Sequence, residues 1–119
     1  MMRRYRRKNS SIPIIVEGRN DLASLRKLSF YGEIIVFNRG ISITSFSDEI
    51  SNKYREVIIL TDFDNKGSFL KDRFYGYLTG MGVYVDLYLW NFIRKHVPIR
   101  TVEELPAEFE REVEKEIQM

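Results

Sequence analysis

Thr61-Asp62-Phe63-Asp64-Asn65-Lys66-Gly67 sets two carboxylates one residue apart, directly after the run Val57-Ile58-Ile59-Leu60. That run is apolar and mostly β-branched, so it reads as a buried strand. Both acids are then delivered at a strand's carboxyl end, where ligands collect in open α/β sheets. A third acid, Glu17, follows the run Ile12-Pro13-Ile14-Ile15-Val16 in the same way. If the two strands are neighbours, Glu17, Asp62 and Asp64 meet above one edge of the sheet. Hard carboxylate oxygens with room for water and phosphate oxygens suit Mg²⁺, with Mn²⁺ as a substitute. A metal ion there stabilises charge on phosphoryl and leaving oxygens and activates water, which is the chemistry of phosphodiester cleavage. A carboxylate crowded by other carboxylates holds a proton more readily, which suits Glu17 to proton transfer.

The elements that must position these acids alternate along the chain. Strands are expected at 12–16, 33–37, 56–60 and 83–89, the last from the alternation of Val83, Val85, Leu87 and Leu89 with Tyr84, Asp86 and Tyr88. Helices are expected from Asp21 to a stop at Gly32, and from a Ser42 or Thr44 cap to about Tyr54. A third runs from Ser68 to Gly80, with Phe69, Leu70, Phe74, Tyr77 and Leu78 on its apolar face, and a short fourth spans 90–97. Thr101-Val102-Glu103-Glu104 spells a capping box, and Phe109, Val113 and Ile117 make the last helix amphipathic. Strands alternating with helices predict a Rossmann-like three-layer α/β/α fold with a mostly parallel four-stranded sheet.

Val16-Glu17-Gly18-Arg19-Asn20-Asp21, then Asn38-Arg39-Gly40, then Leu60-Thr61-Asp62-Phe63-Asp64-Asn65-Lys66-Gly67 resembles the Toprim domain. That domain is shared by bacterial-type primases, topoisomerases, overcoming-lysogenization-defect nucleases, RecR-type repair proteins and the ribonuclease that matures the 5S ribosomal RNA precursor. The wording is most similar to the last of these. The resemblance implies that Glu17 is the general acid/base and a metal ligand, and that Asp62 and Asp64 coordinate Mg²⁺. It implies that Gly18 and Gly67 let backbone approach the site, and that Asp21 caps or braces the first helix. Arg19 stands where the ribonuclease relatives often carry Lys. Asn38-Arg39-Gly40 inserts a residue between the Asn and the Gly that are adjacent in the family's T-N-G turn. The implied activity is a stand-alone Mg²⁺-dependent nuclease on structured RNA or DNA, or alternatively a nucleic-acid- or partner-binding module that does not cut.

Composition bounds these readings. One domain fits 119 residues, and 44% hydrophobic with 30% charged residues fits a globular chain. No apolar run approaches the roughly 18–20 residues of a membrane helix, and the absence of cysteine excludes thiolate zinc sites. A cytoplasmic protein is the expectation. Arg3, Arg4, Arg6, Arg7 and Lys8 crowd the start of the chain; without them 14 basic residues face 17 acidic ones. Residues 1–11 are expected to be a flexible basic arm, either engaging phosphates through counterion release or simply solvated. Residues 12–97 are expected to be the Toprim domain and 98–119 a helical extension. Arg19, Lys66 and Arg73, with Lys71, either grip a substrate backbone or are solvated helix charges. His96 either touches phosphate or has a surface or packing role; Tyr75, Tyr77, Tyr84 and Tyr88 read as core and strand aromatics, Trp90 as a packing anchor and Phe63 as a core residue.

Overall fold

The isoleucine- and valine-rich runs form β1 (Ile14–Val16), β2 (Ile34–Val36) and β3 (Glu56–Ile59), and the alternating run contributes β4 (Tyr84–Asp86). In the computed structural model, which describes residues 1–37 and 40–110, they make one sheet in the order β2-β1-β3-β4. All three pairings are parallel; Ile14 lies beside Ile34 and Ile58, and Ile58 lies beside Asp86. A parallel strand covered on both faces must be apolar at every position, and β1 is buried throughout. Because β1 and β3 are neighbours, the residues following each emerge side by side at the carboxyl edge.

The helices α1 (Met2–Asn9), α2 (Arg19–Lys27), α3 (Ile43–Lys53), α4 (Asn65–Gly80) and α5 (Tyr88–His96) accompany the sheet. One face packs Ile14, Val16, Ile58 and Leu60 against Tyr5 of α1, Leu25 of α2, and Leu89, Trp90 and Ile93 of α5. The other packs Ile15, Val57 and Ile59 against Phe46 and Ile50 of α3 and Phe74 and Leu78 of α4. There Phe37, Phe46 and Phe74 meet with ring centroids 5.2–5.5 Å apart. This is the three-layer α/β/α architecture expected from the alternation of elements.

The opening residues differ from the expectation of a flexible arm. Met2–Asn9 is helical, with Tyr5 and Asn9 fully buried. At 100° per residue, Met2, Tyr5, Arg6 and Asn9 share one side of the helix and Arg3, Arg4, Arg7 and Lys8 the other. The Tyr5 hydroxyl lies 2.9 Å from both carboxylate oxygens of Asp86 at the end of β4. Lys8 bridges Asp86 at 2.5 Å and Glu56 at 2.8 Å. Asn9 donates to the carbonyls of Ile12 and Glu33, and its own Oδ1 accepts the Gly32 N–H. The approach there is tight, since a Cβ on Gly32 would sit 1.8 Å from the Asn9 carbonyl oxygen. Gly32 is therefore a packing glycine. The turn after α2 is made instead by Ser29, at φ 69°, with Arg26 donating to the carbonyls of Phe30 and Gly32.

Other boundaries shift for local reasons. Helix α4 starts three residues earlier than expected because Asp64 caps it: Asp64 Oδ1 accepts the Gly67 N–H at 2.7 Å. The alternation through Leu89 outruns β4, since Leu89 faces the core from α5. Phe69 is 59% exposed and leaves the apolar face of α4 to Leu70, Phe74 and Leu78. Tyr84 lies on β4 as a strand aromatic, but it, Tyr75 and Tyr88 are exposed rather than in the core. Ser42 caps α3 as expected, accepting the Ser45 N–H at 3.0 Å. Thr101 makes no capping bond; Glu104 turns back to accept the Arg100 N–H at 2.9 Å. Beyond a 3-10 turn at Val102–Glu104, residues 105–110 are helical. Val113 and Ile117 of the expected last helix, and Asn38 and Arg39 of the expected turn, lie outside the described residues.

Candidate active site

Glu17 and Asp62 meet at the carboxyl edge. The Asp62 N–H donates to Glu17 Oε2 at 2.8 Å, which ties the ends of two adjacent strands together. Both residues line a cleft of about 660 Å³, with Gly18, Arg19, Asn20, Asp21 and Glu103. Asp21 braces the first turn of α2, its Oδ2 accepting the Gly18 N–H at 3.1 Å. Gly18, at the N-terminus of α2, thus keeps its N–H beside the acids.

The loop from Thr61 to Gly67 is fixed from several directions. Thr61 Oγ1 donates to the Gly67 carbonyl at 2.8 Å. Phe63 is buried against Trp90, with ring centroids 5.7 Å apart. Gly67 is a close-approach position, where a Cβ would lie 2.0 Å from the Asp62 carbonyl oxygen. Gly67→Ala is therefore expected to push the Asp62 backbone aside and to destabilise the fold by about 1–3 kcal/mol. Urea denaturation of the variant measures this cost.

Sequence reasoning missed the residues that brace this loop from beyond the fourth strand. The Trp90 indole N–H donates to the carbonyls of Thr61 at 3.0 Å and Asp62 at 3.3 Å. The Phe63 N–H donates to the Arg100 carbonyl at 2.7 Å, and the Val102 N–H donates to Asp62 Oδ1 at 3.0 Å. Residues 100–102 thus form a strap across the loop. No local pattern marks a backbone donor that meets its acceptor some 40 residues away; only the apolar Trp90, near a strand end, hinted at packing there.

Asp64 and the cations fall elsewhere. Asp64 faces a second cleft of about 690 Å³ on the other side of the loop, with Asn65, Arg94, Arg100 and Glu104. Arg19 lines the acidic cleft. Lys66 is exposed on the first turn of α4. Arg73 lies farther along α4, donating to the Tyr77 hydroxyl at 2.9 Å, with its guanidinium 5.6 Å from the Phe69 ring centre. Lys71 places its ammonium 3.9 Å from the Trp90 ring centre. His96 packs on Phe92, with ring centroids 4.6 Å apart.

The electrostatics follow from this crowding. Burial raises the Asp62 carboxyl to about 6; the Val102 N–H opposes the rise, and Glu17, Asp21 and Asp64 add to it. Burial also raises Asp21, against the Gly18 N–H and with Glu17 and Glu103. For a carboxyl raised on folding, the folded state holds its proton more tightly than the unfolded chain. Stability therefore falls as pH rises from about 4 to about 6. Asp62→Asn keeps an acceptor for Val102 and removes the penalty. Such a rise corresponds to about 3 kcal/mol, which partial solvent access reduces to about 1–2 kcal/mol. Thermal melts in EDTA are expected to show the variant more stable than the parent at pH 7 and the advantage gone at pH 4.

The donor chemistry fits a hard divalent cation. Glu17 and Asp62 are carboxylates on one cleft, and Mg²⁺ needs only one or two of these, with water and substrate oxygens completing the shell. Asp64 does not complete a triad: among the described residues no three of Asp, Glu, His and Cys form a ready cluster. Asp64, expected beside Glu17 and Asp62 as a third ligand, caps α4 through the Gly67 N–H and lines the second cleft.

These features define an α/β domain with an acidic crevice at the carboxyl ends of adjacent parallel strands. The family model for the Toprim domain matches residues 12–88, and the chain belongs to that family. It is similar to a UPF0292 protein of Thermococcus kodakarensis, 39% identical over 94 residues that cover 77% of this chain and 69% of the relative. A UPF0292 protein of Pyrococcus horikoshii is 47% identical over 73 residues, covering 61% of this chain and 54% of the relative. The matches thus span from about half to about two thirds of those relatives' length. A solved structure titled a putative protein from Aquifex aeolicus superposes with a TM-score of 0.75 at 28% identity, covering 87% of this chain and 93% of that one. Membership points to a metal-dependent, nucleic-acid-related function. Among the described residues no helix is long and apolar enough to cross a membrane.

Proposed function

We propose that the chain is a Mg²⁺-dependent nuclease acting on phosphodiesters of structured RNA or DNA. The observation that carries this reading is the Glu17–Asp62 pair, joined by the 2.8 Å bond and facing one cleft. Glu17 and Asp62 would hold the metal, which when bound supplies charge stabilisation for the phosphoryl group and a more acidic water. Glu17 takes or returns the proton of the attacking or leaving oxygen. Arg19, at the rim, offers a donor fork to a neighbouring phosphate, and the Gly18 backbone leaves room for it. The loop bracing by Trp90 and residues 100–102 keeps Asp62 in place, as precise positioning requires.

A second reading has its own observation. Asp62 Oδ1 already accepts the Val102 N–H, and Asp64 Oδ1 the Gly67 N–H, so these acids also have structural work. On this reading the chain binds nucleic acid, or a partner in RNA processing or DNA repair, without cutting. Incubating the protein with structured RNA and with DNA, in Mg²⁺ or Mn²⁺ and in EDTA, separates the two. Metal-dependent products support the nuclease; salt-dependent binding with no products in any metal supports the module.

A further inference from the structure

We propose that the outer face of α1, together with Tyr84 and Tyr88, is a docking track for single-stranded nucleic acid. This rests on the reading that the cleft acts on nucleic acid, and it names where and in what form the strand is held. The cleft itself is poor at attracting a polyanion: Glu17, Asp21, Asp62 and Glu103 surround it, with Arg19 as the cation on its lining. The cations lie elsewhere. Arg3, Arg4 and Arg7 are exposed on α1, on the side opposite buried Tyr5 and Asn9.

Aromatic rings are interleaved with those charges. Tyr84 on the edge strand β4 is 64% exposed, and Tyr88 at the start of α5 is 54% exposed. The Arg4 guanidinium lies 5.4 Å from the Tyr88 ring centre, and the Lys8 ammonium 5.9 Å from the Tyr84 ring centre. Cations that follow a backbone and open aromatic faces on which bases stack are the two parts of a single-strand platform. A duplex hides its base faces and would use only the charges. The outer arc of α1 has no aliphatic side chain to wedge into a lipid surface.

The track is tied to the sheet and adjoins the acidic loop. Tyr5 and Lys8 clamp α1 to Asp86, the last residue of β4. Tyr88 opens α5, and two residues later Trp90 holds the Thr61 and Asp62 carbonyls. A strand lying over Arg4 and Tyr88 is thus separated from the Asp62 loop by the first turn of α5.

The test is fluorescence anisotropy in EDTA with a labelled single strand of roughly a dozen nucleotides, about one platform's site size. RNA and DNA strands of the same sequence are both expected to bind, more tightly than the corresponding duplex. Tyr84→Ala with Tyr88→Ala should weaken single-strand binding at least about tenfold. The same pair changed to Phe should stay within about twofold, because the rings remain. Arg4→Ala with Arg7→Ala should lower the slope of log affinity against log salt by about 1–2. Both tyrosines are exposed, and unchanged thermal melts confirm that the variants fold. Single-strand affinity untouched by the Ala pair, a duplex bound as tightly as the strand, or polyglutamate displacing the strand as well as unlabelled strand does, would each overturn the proposal. The assay contains no metal, so binding without any later cleavage defeats only the nuclease reading. Cleavage by a protein that fails this binding test defeats only the docking track.

Discussion

Asp62→Asn and Glu17→Gln are each expected to lower Mg²⁺-dependent cleavage by at least about a hundredfold, the usual scale for removing a general acid/base or a charge-stabilising group. The loss should fall on kcat, since both groups act on the reacting phosphate rather than on its flanks. Asp64→Asn should cost less than about tenfold, because an Asn side chain can still cap α4 and Asp64 faces the other cleft. Single-turnover rates of the three variants on one substrate measure this order. The Asp62 variant should lose activity while gaining stability at neutral pH, as expected where a buried charge is kept for function.

Tyr5→Ala carries the largest expected effect on stability, about 3–5 kcal/mol, typical of emptying a fully buried aromatic site. That is a large share of the 5–15 kcal/mol that holds a domain of this kind together. The ring is lost from the core under the sheet, and Asp86 loses one of its partners. Tyr5→Phe should cost only about 1–2 kcal/mol, since Asp86 keeps Lys8 and the Tyr88 N–H. The pH dependence has a definite sign at each end. Burial and the Asp86 hydrogen bond raise the Tyr5 phenol to about 12. Burial alone would lower Lys8, but its bonds to Asp86 and Glu56 raise it. Both contributions are full below the unfolded-chain values near 10 and are lost as pH rises through the folded ones. Asp86 is held low: burial opposes this, but Lys8, the Tyr88 N–H and Tyr5 outweigh it. Its contribution is full above the unfolded-chain value near 4 and is lost as pH falls through the lower folded one. Urea denaturation across pH follows all three.

Much of this was legible in the sequence because it is local. Strand runs of Ile and Val mark β1 and β3, and an acid directly after each can only emerge at one edge once the sheet is parallel. That places Glu17 beside Asp62. The same logic fails for Asp64, because whether it joins Asp62 depends on where α4 begins, and the Gly67 N–H draws it into the cap. Helix α1 was hidden by its composition. Its inner side holds Met2 and Tyr5 but also Asn9 and the stem of Arg6, so the apolar period is thin while the basic residues dominate. The burial of Tyr5 depends on Asp86, 81 residues away, which no window of sequence contains. The strap at residues 100–102 is illegible for a related reason, since its contacts with the loop are made by backbone groups that every residue carries.

On the function proposed above, Glu17 and Asp62 together hold a divalent cation. Mn²⁺ binding to the parent and to Glu17→Gln, Asp62→Asn and Asp64→Asn, followed by electron paramagnetic resonance, tests it most directly. Saturable binding to the parent, lost in the Glu17 and Asp62 variants and kept within a few-fold by the Asp64 variant, is the predicted result. No saturable binding to the parent, or a loss in the Asp64 variant as large as in the Asp62 variant, would contradict it.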